Sequence, residues 1–340
     1  MPQKHDQAAP FRERILNDNV TNSQALDHAS LGLLFPASYL TEQDDLAPPK
    51  LDDIKYFEDQ LGVGRLGRPP TSTWLWIAGR PVPPRALHHQ LLLGREIVIV
   101  EQMDLHLVWT SGRMFLKPLP RYLLEPSFWT TYLTCAHDEP CTRTTQSPCA
   151  HRRLWRCALG FLFSYAALVR YESDFQIAQE KRLIPIQARW QSWRRLVAEL
   201  DTEHIYGDID PRYVYGELRL SRLNKIQYLH WGGAFRGYLN LWQSYGDFLS
   251  DNFTWVASAA VFVAIVLTAM QVGLGTDRLQ ENGAFQSASY GFTVFSIVGL
   301  AVAVGLIFCA FLYAFIVNLV ATIKYGKRRF LHVRGAPGAA

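Results

Sequence analysis

The residues best suited to chemistry lie between positions 135 and 157, where thiols and imidazoles follow one another closely. They form the pattern Cys-x-His-x3-Cys-x7-Cys-x-His-x5-Cys. Thiolates and imidazoles are the ligands that zinc prefers in proteins, but the Cys-x2-Cys pair common in zinc fingers is missing. A loop with scattered thiols is therefore the alternative interpretation, and Cys157 itself fits a core helix. The zinc candidates are Cys135, His137, Cys141, Cys149 and His151.

Other catalytic patterns are weaker. His88 and His89 have no Glu or second His pair at a metal-binding spacing, and the chain has no Gly-x-Ser-x-Gly elbow that would expose a nucleophilic serine. Residues 62–67 spell Gly-x-Gly-x-x-Gly, but no strand is predicted before them and Pro69 follows, which argues against a nucleotide site. Two acid pairs are spaced i, i+2 and so do not share a helix face: Glu172 with Asp174, and Asp208 with Asp210. The sequence predicts no catalytic residue and no cofactor, although a membrane-bound enzyme with an unrecognised site stays open.

Two long uncharged runs dominate the C-terminal part of the chain. The first spans 255–274 and the second spans 290–321. About 20 apolar residues suffice to cross the ~30 Å hydrocarbon core of a bilayer. The runs predict two transmembrane helices, which makes the lipid bilayer the expected partner. The alternative is a pair of buried helices in a large soluble protein.

The charges that flank these runs predict the orientation. Basic residues are dense after the second run, whereas the connecting loop has only Arg278, beside Asp277 and Glu281. Because basic residues near membrane ends stay cytosolic, both termini are predicted on the cytosolic side. The first 14 residues are polar, so no signal peptide is expected, and the organelle is not predicted. The basic tail, over 324–340, contains Lys324, Lys327, Arg328, Arg329 and Arg334.

Few polar groups lie inside the predicted spans. Gln271 and Asn318 are the intramembrane amides, and such amides more often join helices than serve transport. Charged residues, which proton relays and charged-substrate sites normally need, do not occur there.

The net charge and the cysteine count exclude some classes of protein. A net charge of +4 is too small to indicate nucleic-acid binding, and much of it belongs to the basic tail. Four of the five cysteines fall in the predicted cytosolic part, where stable disulfides are not expected.

The chain before the spans predicts a cytosolic α+β domain over 29–210, after a disordered segment over 1–28. The clearest β-signal is a three-stranded antiparallel meander over 95–101, 105–109 and 113–117, and 73–77 fits one short strand. Helical spacing predicts helices over 51–61 and from His151 to Pro185, the latter with a buried middle, and another over 186–200.

Asp210 and Pro211 predict a helix start, from which a juxtamembrane helix over 211–252 would run toward the membrane. Its second half carries an apolar seam with alternating spacings of three and four residues. Three interpretations stay open: packing on the cytosolic domain, a seam between subunits of a homo-oligomer, or an interfacial helix on the bilayer. The seam consists of Tyr228, Trp231, Phe235, Tyr238, Trp242, Tyr245 and Leu249.

Several stretches resemble an uncharacterised family of fungal two-span membrane proteins. They are LHHQLLLGREIVIVEQMDLHLVW, RCALGFLFSYAALVRYESDFQIA, GELRLSRLNKI, DNFTWVASAAVFVAIVLTAMQVGL and ASYGFTVFSIVG. The resemblance covers about residues 85–330 and implies a multi-pass membrane protein without a known activity.

The plan of the chain also resembles CorA-type magnesium channels, with a cytosolic α/β domain, a long helix entering the first span, a short outer loop, a second span and a basic tail. That family carries Gly-Met-Asn at the end of the first span, whereas this chain has Ala269-Met270-Gln271 there. The resemblance is one of architecture and implies an oligomeric channel or a non-conducting derivative.

The sequence as a whole therefore predicts an α+β cytosolic domain with a small antiparallel β-meander and long helices, followed by a C-terminal two-helix transmembrane hairpin. The predicted function is that of a membrane-anchored binding or accessory module. The channel and the enzyme are the alternatives.

Overall fold

The computed structural model describes residues 9–16, 31–41, 44–50, 53–69, 71–134, 149–230 and 245–335. The chain divides into two compact units, Met1–Leu239 and Asn240–Ala340. The first unit mixes helices with two small sheets, and the second is helical. The predicted α+β class with two apolar C-terminal helices is thus confirmed.

The strands of the first unit are short. A two-stranded antiparallel sheet joins β1 to β2, and a four-stranded mixed sheet has the order β3-β5-β4-β6. The strands are β1 (Tyr39–Leu40), β2 (Leu46–Ala47), β3 (Glu96–Ile99), β4 (Val108–Thr110), β5 (Arg113–Leu116) and β6 (Leu218–Arg219).

The predicted antiparallel meander is wrong in its topology. Strands β4 and β5 do form an antiparallel hairpin, whose turn uses the positive φ of Gly112 (71°). Strand β3 instead pairs in parallel with β5, with Ile97 opposite Met114. A 3-10 helix at Met103–Leu105 lies between β3 and β4, so the connection carries β4 past β5 rather than turning it back beside β3. Strand β6, which the sequence did not reveal, pairs in parallel with β4.

Among the described residues of the first unit, far more lie in helices than in strands. They are α1 (Ile54–Leu61), α2 (Leu75–Ala78), α3 (Leu87–Leu92), α4 (Pro126–Tyr132), α5 (Ala150–Leu168), α6 (Glu172–Glu180), α7 (Trp190–Glu199) and α8 (Leu220–His230). Short 3-10 helices connect them at Gly64–Gly67, Thr71–Trp74, Arg121–Leu124, Ile205–Gly207 and Pro211–Val214.

Helix α5 forms the centre of the core, as predicted for its buried middle. Phe161, Leu162 and Tyr165 are fully buried, and the Tyr165 hydroxyl donates to the Lys117 carbonyl at 2.5 Å. Gly160 lets a neighbouring segment approach, since a Cβ there would lie 2.6 Å from Tyr213 Cγ.

Three local predictions are corrected. Residues 73–77 are not a strand, because they fall in a 3-10 turn followed by α2. Residues 9–16, inside the segment predicted as disordered, contribute to the core: Phe11 is 2% exposed, and its ring lies edge-on to Trp129 at 6.2 Å. A hydrophobic side chain that finds a buried site can order a segment whose composition is polar.

The third correction concerns the helix predicted over 211–252. Asp210 does cap the turn after it by accepting from the Arg212 amide at 2.9 Å, but this turn is a 3-10 helix that ends at Val214. Strand β6 follows, and a regular helix begins only at Leu220.

The second unit consists of α9 (Tyr245–Leu274), α10 (Asp277–Gln280) and α11 (Gly283–Gly335). The two long helices contact each other. Gly273 permits a close approach at their connection, since a Cβ there would lie 2.8 Å from Phe285 Cζ. The Asn282 side chain accepts from the amides of Ala284 and Phe285 and so caps α11.

Both long helices contain segments apolar and long enough to cross a membrane, Thr254–Leu274 and Gly283–Arg334. Only 6% of the most apolar window of each helix is buried within the protein. Such exposure of apolar side chains is unusual for core helices of soluble proteins, so the helices support membrane association.

Candidate functional site

The first unit contains a cavity of about 490 Å³ beside the four-stranded sheet. We call it the arginine cavity. It lies where the extended segment after α2, the start of β3, strand β4 and the segment leading into α8 meet. The residues that line it are Ala78, Gly79, Arg80, Val82, Pro83, Arg85, Arg95, Trp109, Glu217, Arg219 and Arg222.

Glycines let these segments come together. The Gly216 amide donates to the Val82 carbonyl at 2.9 Å, and a Cβ at Gly216 would lie 2.5 Å from Pro84 N. A Cβ at Gly79 would lie 2.7 Å from the Glu217 carbonyl oxygen. Larger residues at these two positions would push the proline-containing wall of the cavity away from Glu217.

Glu217 is the acid at the centre of the cavity wall. Its carboxylate accepts from Arg85 Nε at 2.9 Å, from Arg85 Nη2 at 2.5 Å and from Arg95 Nη1 at 2.9 Å. Gln90 Nε2 adds a fourth bond at 2.8 Å, and Arg95 Nη1 also donates to Gln90 Oε1 at 2.7 Å. Because all three partners favour the ionised form, the carboxylate is held in place and charged.

The pKa of Glu217 reflects two opposing effects. Burial raises it, but the hydrogen bonds from Arg85, Arg95 and Gln90 together outweigh burial and lower the pKa from 4.5 to about 2. The Arg85 pKa is raised by the same bond to Glu217. This cluster is therefore fully ionised at neutral pH.

The Trp109 ring contacts two of the guanidinium groups in the cavity, those of Arg95 and Arg219. Arg95 Cζ lies 4.1 Å from the centre of the Trp109 ring, and Arg219 Cζ lies 5.3 Å from it. Guanidinium groups stack favourably on indole faces, which limits their motion before any ligand arrives.

Three arginines keep their positive charge uncompensated. Within the described residues, Arg80, Arg219 and Arg222 form no ion pair, and Arg222 donates one hydrogen bond, to the Ile77 carbonyl at 3.0 Å. Five arginines against one carboxylate give the cavity lining a net charge of +4. A concave site with a charge of one sign attracts ligands of the opposite charge, so this cavity is suited to bind an anion.

Little in the sequence indicates this site. Its arginines come from segments as far apart as positions 80 and 222, and each arginine alone resembles an ordinary surface residue. The one local signal is the pair Arg80 and Arg85, which encloses a proline-rich stretch.

The described residues include only two of the five zinc candidates, Cys149 and His151. Cys135, His137 and Cys141 lie outside these residues. Cys149 caps α5, with its Sγ accepting from the Arg152 amide at 3.4 Å, and His151 lies in the first turn of the same helix. The described part of the chain contains no group of three metal-binding side chains.

The structure places His88 in contact with Asp174, a contact that the sequence does not predict. His88 Nδ1 lies 2.8 Å from Asp174 Oδ1, and Asp174 also accepts from the amides of His88, Arg170 and Tyr171. His88 was predicted to stand alone, but the fold places the first turns of α3 and α6 side by side. Asp174 is fully buried and organises the start of α6, so the pair has a structural role.

A second histidine, His106, lies next to a serine but in an orientation that rules out activation of that serine. His106 Nδ1 accepts from the Lys117 amide at 3.2 Å, so its Nε2 carries the proton that faces Ser164 Oγ at 2.9 Å. Ser164 in turn donates to the Phe161 carbonyl at 2.6 Å. Both hydroxyl and imidazole are therefore engaged in holding α5 against the sheet.

Lys117 lies beside another open cavity, of about 470 Å³. Its amine donates to the Glu101 carbonyl and lies 3.7 Å from the Glu101 carboxylate. Burial lowers the Lys117 pKa, although Glu101 and Asp59 oppose the effect. Because the Lys117 side chain is only 2% exposed, the amine is closed off from a ligand.

The remaining predicted site residues lie near or in the second unit. The seam residues Trp231, Phe235, Tyr238 and Trp242 lie outside the described residues. Tyr228 falls in α8, and Tyr245 and Leu249 fall in α9. Gln271 lies in α9 and Asn318 in α11.

Comparison with known proteins agrees with the expectation of an uncharacterised family. No curated protein and no solved structure matches the chain. A family of unknown function, DUF6601, matches residues 54–300, which is well over half of the chain. The match includes the whole arginine cavity and the first apolar helix. The chain therefore belongs to the DUF6601 family of unknown function.

Proposed function

We propose that this protein is a two-span integral membrane protein whose first unit is a ligand-binding module held at the cytosolic face of a membrane. The observation that carries the proposal is the exposure of two long apolar helices, Thr254–Leu274 and Gly283–Arg334. Nothing but a bilayer or another apolar partner would shield such surfaces from water. The first unit supplies the binding part through the arginine cavity.

The length of α11 fits this arrangement. At ~1.5 Å per residue its 53 residues extend about 80 Å, more than twice what a bilayer core needs. Its basic residues, from Lys324 to Arg334, all follow the uncharged run. The excess length would carry these charges out of the bilayer to an anionic cytosolic surface.

The proposed orientation follows from the different numbers of basic residues between the two spans and after the second span. The connection between the helices has one basic residue, Arg278, whereas five follow the second span over 324–334. Basic residues close to a span are retained in the cytosol. Both termini, and with them the first unit, are then cytosolic.

Membrane integration is tested first, by alkaline carbonate extraction of membranes from cells that express the full chain. The expected result is retention in the membrane pellet, because spanning helices are not released when peripheral charges are disrupted. Release into the supernatant would refute the proposal that the helices span.

Orientation is tested separately with glycosylation acceptors. A flexible linker with one Asn-Gly-Thr acceptor is inserted between Glu281 and Asn282, which leaves the Asn282 cap of α11 intact. This acceptor is expected to be modified. The chain offers its own control in Asn19-Val20-Thr21, which is expected to stay unmodified on the cytosolic side. Modification at Asn19 with none in the linker would reverse the orientation.

The binding role, as opposed to the channel or enzyme alternatives, is supported by how the buried polar groups are used. Glu217, His106 and Asp174 are each saturated by contacts within the fold, and the cavity arginines offer charge for binding. Size measurement of the purified protein in detergent gives a further test, since a CorA-like channel requires an oligomer around a central pore. A monomer that retains ligand binding is expected for the module.

A further inference from the structure

The arginine cavity indicates which class of anion it would bind, because some of its arginines are paired with Glu217 and others are not. Arg85 and Arg95 are engaged by Glu217, with the Arg95 side chain only 9% exposed. Arg80, Arg219 and Arg222 are exposed and form no ion pair within the described residues. The cavity thus has two arginines paired with Glu217, which we call the inner pair although the Arg85 side chain is 43% exposed, and an outer set of three without an ion pair.

The number and type of the outer groups limit the ligand. Three guanidinium groups present planar sets of N–H donors, and such forks match the oxygens of phosphate. A phosphate monoester has three terminal acceptor oxygens and a charge of about −1.5 to −2 at pH 7. A carboxylate or phosphate diester has a single charge and would leave much of the positive charge of the cavity unbalanced.

The size and rim of the cavity add a further constraint. A volume of about 490 Å³ exceeds what an inorganic ion fills and lies within the range of small-molecule sites, roughly 300–1,000 Å³. Val82 on the lining is an apolar side chain that is 52% exposed. The phosphate would therefore carry an organic group, for which the lining side chains of Val82 and Pro83 provide apolar contact.

We propose that the arginine cavity binds an organic phosphate monoester, with Arg80, Arg219 and Arg222 contacting the phosphate oxygens. Trp109 holds Arg219, and Glu217 fixes the inner wall by binding Arg85 and Arg95. The inference rests on the proposed function only in treating the first unit as a binding module. The monoester would be either a soluble metabolite or the headgroup of a lipid such as phosphatidic acid, since both present the same group.

The test uses the full chain in detergent micelles and isothermal titration calorimetry with glycerol phosphate as the soluble probe. Saturable binding is expected for the wild-type protein. The double substitution Arg80→Gln and Arg219→Gln is expected to weaken it at least about tenfold, because two charge-assisted contacts are removed. The matched control is the double substitution Arg189→Gln and Arg194→Gln, which also removes two charges, from exposed arginines outside the cavity, and should leave affinity unchanged.

A second experiment distinguishes a lipid headgroup from a soluble phosphate monoester. Mixed micelles with phosphatidic acid, a monoester, are compared with mixed micelles with phosphatidylglycerol, a diester, by the shift in thermal midpoint. A shift with phosphatidic acid that the double variant loses assigns the site to a lipid headgroup. Binding of glycerol phosphate without such a shift assigns it to a soluble ligand, and either result supports the monoester.

The pH dependence separates a phosphate monoester from other anions. Its second ionisation lies near pH 6, so affinity for glycerol phosphate should fall between about pH 7.5 and pH 5.5 as the probe loses a charge. Sulfate keeps its charge over this interval and serves as the control probe. The arginines and Glu217 also keep theirs, since the Glu217 pKa is about 2.

Three results would overturn the proposal. They are the absence of saturable binding to both glycerol phosphate and phosphatidic acid, equal affinity of the wild-type protein and the folded double variant, or a shift in thermal midpoint that is as large with phosphatidylglycerol as with phosphatidic acid. If the thermal midpoint shows that the double variant does not fold, the single variant Arg80→Gln replaces it in the calorimetric comparison. This variant is expected to fold, because Arg80 has no side-chain partner among the described residues, and an affinity equal to that of the wild-type protein would overturn the proposal. The calorimetric result does not depend on membrane orientation, so it fails independently of the extraction and glycosylation assays.

Discussion

Arg95 and Glu217, which are 122 positions apart in the chain, meet at 2.9 Å between Arg95 Nη1 and Glu217 Oε2. Both side chains are about nine-tenths buried. The pair therefore joins the start of β3 to the segment before β6. Loss of Glu217 would leave the buried guanidinium group of Arg95 without an opposite charge, whereas Glu217 would keep Arg85 if Arg95 were lost.

The first prediction concerns this pair. Glu217→Ala should reduce the free energy of unfolding by about 3–5 kcal/mol, because it leaves the buried Arg95 uncompensated. Denaturant titration of the detergent-solubilised chain measures the effect. The matched control is Glu96→Ala, which breaks an exposed ion pair with Arg113 at 4.0 Å and should cost no more than about 1 kcal/mol. Equal effects of the two changes would contradict the assigned role of Glu217.

The second prediction is an acid dependence from the same carboxylate. The Glu217 pKa is about 2 in the folded protein and ordinarily 4.5, so its contribution is fully present above pH 4.5 and is lost as pH falls toward 2. The difference corresponds to about 3 kcal/mol. Glu217→Gln removes this titration, so the variant should show a shallower loss of stability below pH 4.5 than the wild-type protein. Parallel stability curves would rule out the lowered pKa.

The third prediction concerns His106. Burial, followed by the charges of Arg212 and Lys117, holds its pKa well below 6.5. The unfolded chain takes up a proton at pH 6.5 that the folded protein does not, so stability should fall by up to about 1.4 kcal/mol per pH unit below 6.5 until the folded pKa is reached.

Comparison with His106→Gln isolates this effect, because glutamine can replace the hydrogen bonds but does not titrate. The variant should be less stable at pH 7, by about 1–3 kcal/mol, yet less sensitive between pH 6.5 and 5. If both proteins lose stability at the same rate over that interval, His106 is not the group responsible.

The fourth prediction tests the close approach of the Tyr213 ring to α5. Gly160→Ala places a Cβ 2.6 Å from Tyr213 Cγ, and the Tyr213 side chain is buried in the core. Overpacking of this kind costs about 1–3 kcal/mol, more than the ~1 kcal/mol that alanine gains over glycine in a helix. A drop in the thermal midpoint is expected. Gly207→Ala is the control, because a Cβ there meets nothing within 4 Å.

The fifth prediction concerns the cysteines. Cys157 is 2% exposed, and burial raises the pKa of its thiol, so it should resist alkylation in the folded protein. Cys149 is only partly buried and should react first, as should Cys135 and Cys141 if they form a loop without metal. Mass spectrometry after brief alkylation without reductant gives the order. Joint protection of Cys135, Cys141 and Cys149 that a zinc chelator removes would instead support the zinc site.

Much of the helical structure was accessible from the sequence because its signals are local. The uncharged runs at 255–274 and 290–321 fall in two long helices, and the apolar face around Phe161 falls in α5. Length of an apolar run and periodicity are properties of a single segment, so neighbouring residues suffice to reveal them. The Asp210 cap was also correct for the same reason, although the turn it begins is short.

Only the tertiary structure decided how the strands pair and which polar residues meet. Strand β3 pairs in parallel with β5 because the chain between them crosses over, and strand β6 is two residues long, too short for any pattern. The arginine cavity likewise depends on the approach of Glu217 to Arg85 and Arg95 across more than 120 positions. Spacing along a chain does not encode which distant residues will be buried together, because that is set by the packing of whole elements. The sequence by itself therefore determined the two apolar helices and the class of the first unit, whereas the fold alone assembled the candidate site.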